Sequence, residues 1–423
     1  MIGTIYLAVS RLLNGAIALV VVFLLSNYFS AEEYGLFGLI YSALTVISTF
    51  CFAWLGAYFL RFTKVSSHAR SIFQLTLVSF AGMLVCLGVI YFSRATWGIY
   101  EIAIIGFGAV AVGFFYVTQE FLAGRQLYRS YLLVSVARFC LAVSLVGLIM
   151  YAGRHLGAII FMLAAAMIVP SLYVFFRYGY RWFSGLKITE FLTVDKSQMA
   201  NIARYSLPFV ATSLSAALMG LADRFVIEQF LGLRAVGLYI GAHDLTFQII
   251  GAATSVLVSR ILPPSAVAFE AQGLSKDFSR IFLRRVLIML MAMVGLVVFC
   301  LLAAPDTYLR ILAPEAQKIA LSFYVLTILG TGILSLNTLG FLTVLMLQKR
   351  TQIIFLVSIV SLVTNVICNI FLVPTLGLPG AALAFVLACA AGLMVSLWAT
   401  AEFWKTVLCE NHITLARLKG DGR

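Results

Sequence analysis

The sequence predicts an all-α polytopic membrane protein with about twelve spanning helices in two six-helix lobes and almost no soluble mass. Composition is the first reason: of 423 residues, 63% are hydrophobic and only 11% are charged, and the mean hydropathy is +1.06. A soluble domain carries about a quarter charged residues, so most of this chain's outer surface must face lipid. Run length is the second reason. Apolar stretches of roughly 18–25 residues recur, each able to cross a hydrocarbon core of about 30 Å. Pattern is the third: Leu, Ala, Val and Gly fill these runs without period-2 alternation, which selects helices over a barrel.

In chain order, the expected helices cover 5–27, 34–59, 72–92, 100–118, 130–150 and 157–176, then 207–230, 236–262, 286–304, 321–347, 353–373 and 380–401. No A-x-A-like cleavage site closes the first run, so it reads as a membrane helix and not a removable signal. The longest polar connection, 177–206, separates the sixth and seventh helices and reads as a linker. Its KITEFLTVDKSQMANIARYS stretch suits an interfacial helix with Phe191 and Met199 against lipid. The expected organisation is therefore an N-terminal lobe at 1–180, a linker at 181–205, a C-terminal lobe at 206–404 and a tail at 405–423. Of the seven cysteines, all but Cys409 (Cys51, Cys86, Cys140, Cys300, Cys368 and Cys389) lie in apolar runs. With no CxxC and no His/Cys cluster they read as small packing residues, and no metal site is expected.

Basic residues set the orientation. Alternate connections hold Arg61, Lys64 and Arg70; Arg125 and Arg129; Arg177, Arg181, Lys187, Lys196 and Arg204; Lys276, Arg280, Arg284 and Arg285; Lys349 and Arg350; and the tail adds Lys405, Arg417, Lys419 and Arg423. The opposite side holds only Arg94, Arg154, Arg224, Arg234, Arg310 and Lys318. The excess of Lys and Arg places the basic loops and both termini in the cytoplasm. The net charge of +13 is mostly this bias, plus attraction to anionic membrane lipids. Nucleic acid is not an expected partner, because the basic residues are scattered over six short segments.

The halves resemble each other. At an offset of 202 residues, Gly35-Leu36-Phe37 falls on Gly237-Leu238-Tyr239, at the start of the second helix of each half. Leu156-Gly157-Ala158 pairs with Pro379-Gly380-Ala381, and Arg70-Ser71-Ile72-Phe73 with Ser279-Arg280-Ile281-Phe282. Six helices is an even number, so the halves share one orientation and are expected to relate by an axis along the membrane normal, as in many transporters.

Four stretches resemble a known family. FSAEEYGLFGLIYSAL (29–44), QEFLAGRQLYRSYLL (119–133), YSLPFVATSLSAALMGLADRFVIEQFLGLRAVGLYIGAHDL (205–245) and PTLGLPGAALAFVLA (374–388) are similar to segments of Wzx-type polysaccharide flippases. These belong to the multidrug/oligosaccharidyl-lipid/polysaccharide (MOP) exporter superfamily. The resemblance implies a MOP/MATE-like fold of two lobes around a cavity that opens alternately to each side. It implies a translocator, not an enzyme, that moves polyprenyl-(pyro)phosphate-linked oligosaccharide across the bacterial inner membrane for O-antigen or exopolysaccharide synthesis. The implied partners are the undecaprenyl-linked sugar, H+ or Na+ as coupling ion, and polysaccharide polymerase and glycosyltransferases; no cofactor is implied.

Ionisable groups within the bilayer need a reason, since each carries at least about 2.5–3.5 kcal/mol of insertion penalty at the centre. Arg11 and Arg138 lie in the inner halves of the first and fifth helices, and Asn14 shares Arg11's face. The planar guanidinium donates several hydrogen bonds and stays charged, which suits phosphate. Arg11, Asn14 and Arg138 are therefore the candidate pyrophosphate residues; the bland alternative is snorkelling to inner headgroups. His243 and Asp244, with Gln248 one turn on, form a candidate coupling-ion or sugar site in the eighth helix. Their alternative is an interhelical polar contact. Asp223 and Arg224, near the outer end of the seventh helix, are a candidate gate or an interface anchor. Arg260, before Pro263-Pro264, reads as an inner-boundary anchor. The eleventh helix carries Ser358, Ser361, Asn365, Cys368 and Asn369, and the tenth Thr327, Thr331, Ser335 and Thr338 with Asn337 nearby. Asn337, Asn365 and Asn369 suit sugar hydroxyls, although such stripes also join helices to one another.

Two other functions compete. A drug antiporter of the same superfamily would favour buried acids, whereas the first helix carries Arg11 and no acid, and Asp244 is the clearest acid at depth. A membrane enzyme of polysaccharide assembly, a polymerase or glycosyltransferase, would need acidic metal motifs or a large outer loop. The outer loops are short and neither DxD nor HExxH occurs.

Overall fold

A computed structural model describes residues 2–61, 69–93, 98–152, 156–179, 196–303 and 321–420. Its long helices are α1 (Ile2–Tyr28), α2 (Ala31–Arg61), α3 (Ala69–Ser93), α4 (Ile99–Gly124), α5 (Tyr128–Ala152) and α6 (Leu156–Val174), the last continued by a π-turn at Phe175–Gly179. Then follow α7 (Lys196–Leu231), α8 (Leu233–Gln272), α9 (Lys276–Ala303), α10 (Leu321–Leu347), α11 (Thr351–Leu376) and α12 (Leu378–Gly420). Among the described residues there is no strand. Among the described residues, eleven helices are long and apolar enough to cross a membrane, and α3 adds a shorter apolar stretch at Thr76–Gly88. The expected all-helical, twelve-helix architecture is the one observed.

Side chains show which solvent the helices meet. On α9, Leu287, Met291, Val294, Val298 and Leu302 lie on one face and are 45% to 81% exposed. A patch of that size in water marks an interaction site or an aggregation hazard. In lipid it is the ordinary outer face, with every backbone polar group of the span satisfied inside the helix.

Local chemistry explains several ends. Ser30 and Glu33 form a capping box at α2: the Glu33 N–H donates to Ser30 Oγ (3.2 Å), and the Ser30 N–H donates to Glu33 Oε2 (2.9 Å). Ser275 caps α9 by accepting the Phe278 N–H at 3.2 Å. Gly377 ends α11 at φ +67°, a backbone region that L side chains rarely adopt.

Helix ends differ from the hydropathy reading wherever a helix outlasts its apolar run. α4 continues to Gly124, so Gln119 and Glu120 are helical and not loop. α8 passes through Pro263-Pro264 to Gln272. Each proline withholds one N–H from the carbonyl four residues back, at Ser259 and Arg260. α9 starts at Lys276, which places Arg280, Arg284 and Arg285 on a helix. α7 starts at Lys196, so 196–205 of the expected linker is helical; α12 likewise continues through 402–420. The remainder of the linker with Phe191, and the basic positions Lys64, Arg94, Arg154, Arg181, Lys187, Arg310, Lys318 and Arg423, lie outside the described residues.

Packing divides the chain into two compact units, Met1–Val21 with Phe29–Phe225, and Val22–Tyr28 with Val226–Arg423. In the first, the main pairings are α2–α3, α2–α4, α3–α4, α4–α6 and α5–α6. In the second they are α8–α9, α8–α10, α9–α10, α10–α12 and α11–α12. Adding six to each helix number carries these five pairings of the first unit onto those of the second, which gives the sequence repeat its structural content; the second unit also pairs α9 with α12, and the first α2 with α6. Gly157 and Gly380, which match in the repeat, both sit at close approaches. A Cβ on Gly157 would lie 2.6 Å from the Tyr100 hydroxyl oxygen, and one on Gly380 would overlap the Leu372 carbonyl oxygen.

Candidate functional site

A polar network around a half-buried arginine lies in the first unit. On α5, Tyr131, Ser135 and Arg138 recur at helical spacing and share a face. On α4, Phe115 and Gln119 share another. The Tyr131 hydroxyl donates to Gln119 Oε1 at 2.7 Å, and Gln119 Nε2 donates to Ser135 Oγ at 3.1 Å. Ser135 in turn donates to the Tyr131 carbonyl at 3.1 Å. These bonds fix α4 against α5 and set the position of Arg138, about ten residues or 15 Å into α5.

Arg138 Nη1 donates to Asn14 Oδ1 on α1 at 3.0 Å, and its guanidinium carbon sits 4.5 Å from the Phe115 ring centroid. Tyr41 on α2 is also within its electrostatic reach. A guanidinium has five N–H donors; one is spent on Asn14, and the ring face supports the charge without using another. Two of the three candidate phosphate residues, Arg138 and Asn14, thus touch directly.

Arg11 lies three residues before Asn14 on α1. It is half-buried and interacts electrostatically with Glu120 of α4 and Tyr131 of α5. Glu120 is flanked by Tyr116 on its own helix as well. The sequence reading missed Glu120, Gln119, Tyr131, Ser135 and Tyr116. Hydropathy falls after 118, which ends the expected fourth helix there and leaves Gln119 and Glu120 in a loop. A usable signal was present, since Gln119 and Glu120 continue the faces of Phe115 and Tyr116 one turn on. The first helix does carry an arginine and no acid, and α4 supplies an acid, Glu120, within Arg11's electrostatic reach.

In the second unit, His243 Nδ1 lies 3.2 Å from Asp244 Oδ1. The imidazole stacks between Tyr239 (4.8 Å between centroids) and Phe247 (6.0 Å), with Phe385 of α12 edge-on at 5.0 Å. His243 Nε2 is buried and has no hydrogen-bond partner among the described residues. Gln248 is half-buried one turn from Asp244. Asn365 and Asn369 of α11 are fully buried, and Asn369 Nδ2 donates to the Asn365 carbonyl at 3.0 Å. Both side-chain amide atoms of Asn365, and Oδ1 of Asn337, are without hydrogen-bond partners among the described residues. Asn337 opens the π-turn of α10 at Asn337–Leu342, a distortion often found at functional positions. Much of the threonine and serine stripe on α10 is inward-bonded: Thr327, Thr331 and Thr338 each donate to the carbonyl four residues back, and Thr254 of α8 donates to Ser335 at 2.8 Å.

Asp223 is buried near the end of α7. Arg224 beside it donates from Nη1 to the Gly38 carbonyl at 3.0 Å and to Ser42 Oγ. These contacts tie α7 to α2 within the first unit.

A sequence-family profile described as "Polysaccharide biosynthesis protein" matches residues 1–269. No curated protein gives a significant match. Among solved structures, the chain is similar to the lipid II flippase MurJ in an inward closed conformation, with TM-score 0.68 and 14% identity, covering 100% of this chain and 93% of that one. It is similar to an inward-facing multidrug resistance MATE family transporter of the MOP superfamily, with TM-score 0.62 and 16% identity, covering 94% and 98%. A MOP superfamily transporter from Pyrococcus furiosus, described by the reversed polarity of its binding pocket, gives TM-score 0.60 and 16% identity, covering 96% of each chain. The fold is that of the MOP superfamily.

Proposed function

Given that this chain belongs to the polysaccharide biosynthesis protein family, we propose that it flips polyprenyl-(pyro)phosphate-linked oligosaccharide across the bacterial inner membrane by alternating access. Both termini and the basic loops lie on the cytoplasmic side in this reading. The observation that carries it is the Arg138–Asn14 pair over Phe115, with Arg11 on the same helix as Asn14. Two permanent cations within apolar helices are costly to keep. They are suited to a diphosphate, which has fixed negative charge and oxygens matched to the guanidinium fork. An uncharged sugar would give no reason for them. Asn337, Asn365 and Asn369, and the His243–Asp244 pair, supply sugar-hydroxyl contacts or the site for a coupling H+ or Na+. Arg224 holds α7 to α2 as part of the gate. Polymerase and glycosyltransferases act on the same lipid-linked sugar before and after it.

The test is sugar-polymer export in cells whose own copy is deleted. Arg11→Ala and Arg138→Ala are each expected to abolish export at normal protein abundance, with lipid-linked oligosaccharide accumulating on the cytoplasmic face. Export at the wild-type level in both variants overturns the reading. A cation exporter is the second reading, favoured by Glu120. It predicts drug resistance that Glu120→Gln removes and Arg138→Ala leaves intact.

A further inference from the structure

We propose that Glu120 is the displaceable counter-ion of Arg11: it offsets that one charge while the anion site is empty and yields Arg11 to the incoming phosphate. This rests on the reading of Arg11 and Arg138 as phosphate-binding residues and adds a residue that competes with the ligand.

Register places the two groups together. Phe115 lies under Arg138, and Gln119 bonds both Ser135 and Tyr131, so α4 runs antiparallel to α5. Glu120 therefore falls level with the α5 stretch between Tyr131 and Ser135. Asn14 meets Arg138. Successive spans alternate in direction, so α1 runs parallel to α5 and Arg11, three residues earlier, falls level with Ser135. The electrostatic contact between Arg11 and Glu120 agrees with this placement. The groups facing the carboxylate are Arg11 from α1, Tyr131 from α5 and Tyr116 from α4 itself. Tyr131 is held by its bond to Gln119, and Tyr116 packs against Gly56 of α2.

Between transport cycles the charge of Arg11 needs a partner. A lone guanidinium in low dielectric is unfavourable, and a paired one is not. A permanent, optimal partner would also exclude the substrate. A single carboxylate offers one charge against the several of a diphosphate, so it holds Arg11 in the empty state and loses it on binding. On release it recaptures Arg11. The carboxylate thereby weakens binding and speeds turnover.

The probe is radiolabelled undecaprenyl pyrophosphate bound to purified full-length protein in detergent. Glu120→Gln is expected to bind about fivefold or more tighter than wild type, in the range of ordinary coupling between sites, while export in cells falls. Arg11→Gln is expected to bind more weakly, and adding Glu120→Gln to it should change nothing further. The ratio of wild-type to Glu120→Gln dissociation constants should shrink toward one as pH falls and Glu120 takes a proton; titration of the ligand itself cancels in that ratio. Glu120→Asp, which keeps the charge, should behave as wild type. Unchanged or weaker binding in Glu120→Gln, with Arg11→Gln still weakened, overturns the counter-ion role and leaves the phosphate site standing. Unchanged binding in both Arg11→Gln and Arg138→Gln removes the phosphate site and this proposal with it.

Discussion

Arg138 offers the sharpest test of whether charge, and not packing, explains the buried network. Replacing it with Gln retains an amide donor for Asn14 Oδ1, now 3.0 Å from Nη1, and removes the cation over the Phe115 ring. Two effects on folding oppose each other. The cation–π contact is worth about 2 kcal/mol when desolvated, and relief from burying a charge returns a similar amount. Thermal stability in detergent is therefore expected to change little. Binding is different, because one charge-assisted hydrogen bond is worth about 1.5–3 kcal/mol. That loss weakens the dissociation constant for a lipid diphosphate by roughly 10- to 150-fold. Lys at the same position keeps the charge but loses the fork, so it should fall between Gln and wild type. Binding of undecaprenyl pyrophosphate to the three purified proteins, with melting temperatures measured in parallel, gives both numbers. A Gln variant that is folded and binds as tightly as wild type refutes the reasoning.

Other outcomes follow from the same contacts. Asn14→Asp sets a carboxylate against Arg138, so export should fall further than in Asn14→Leu, which only removes an acceptor; equal loss in a cell-based export assay would count against an anionic ligand. Gly380→Ala should destabilise the protein by about 1–3 kcal/mol, because its Cβ meets the Leu372 backbone oxygen. Gly157→Ala should be milder, because Tyr100 and Ile104 side chains can move; melting temperatures in detergent rank the two. Lys349 is exposed and pairs with Glu270 at 2.8 Å, a surface ion pair of small worth. In a background with the native cysteines replaced, Lys349→Cys should react with an impermeant maleimide only after permeabilisation, and Arg234→Cys should react in intact spheroplasts. The reverse pattern would invert the proposed topology.

Hydropathy located the helices because lipid imposes one demand on every span: about twenty apolar residues with the backbone satisfied internally. It misplaced ends wherever a helix outlasts that demand. Gln119 and Glu120 end the apolar run but not α4, since the hydrogen bonds from Tyr131 and to Ser135 continue the helix packing past the hydropathy boundary. Pro263-Pro264 reads as a stop and is not one, because α8 continues through it to Gln272. The repeat was visible through glycines for a physical reason. Gly157 and Gly380 start equivalent helices at approaches too close for a Cβ, and such positions resist drift when the surrounding apolar residues interchange freely.

Side-chain partnerships were less accessible, because a helix face names what points together within one element and nothing about what it meets. Asn14 and Arg138 are 124 residues apart, and no spacing rule joins them. Their shared depth was computable from helix starts, but the choice between snorkelling and a site depends on what covers the charge. Here Arg138 lies on an aromatic ring and an amide, well inside α5, and is not directed to the headgroups by any contact it makes. Glu120 changes the electrostatic argument more than any residue singled out from sequence. With Arg11 and Arg138 alone, the site is a fixed trap for anions, and tight binding would slow release. With a carboxylate level with Arg11, one of the two cations is offset in the empty state, and in the proposed cycle the substrate competes for a cation already engaged. A transporter must let go of what it binds, so in the proposed function the acid level with Arg11 is as much a part of the site as the arginine itself.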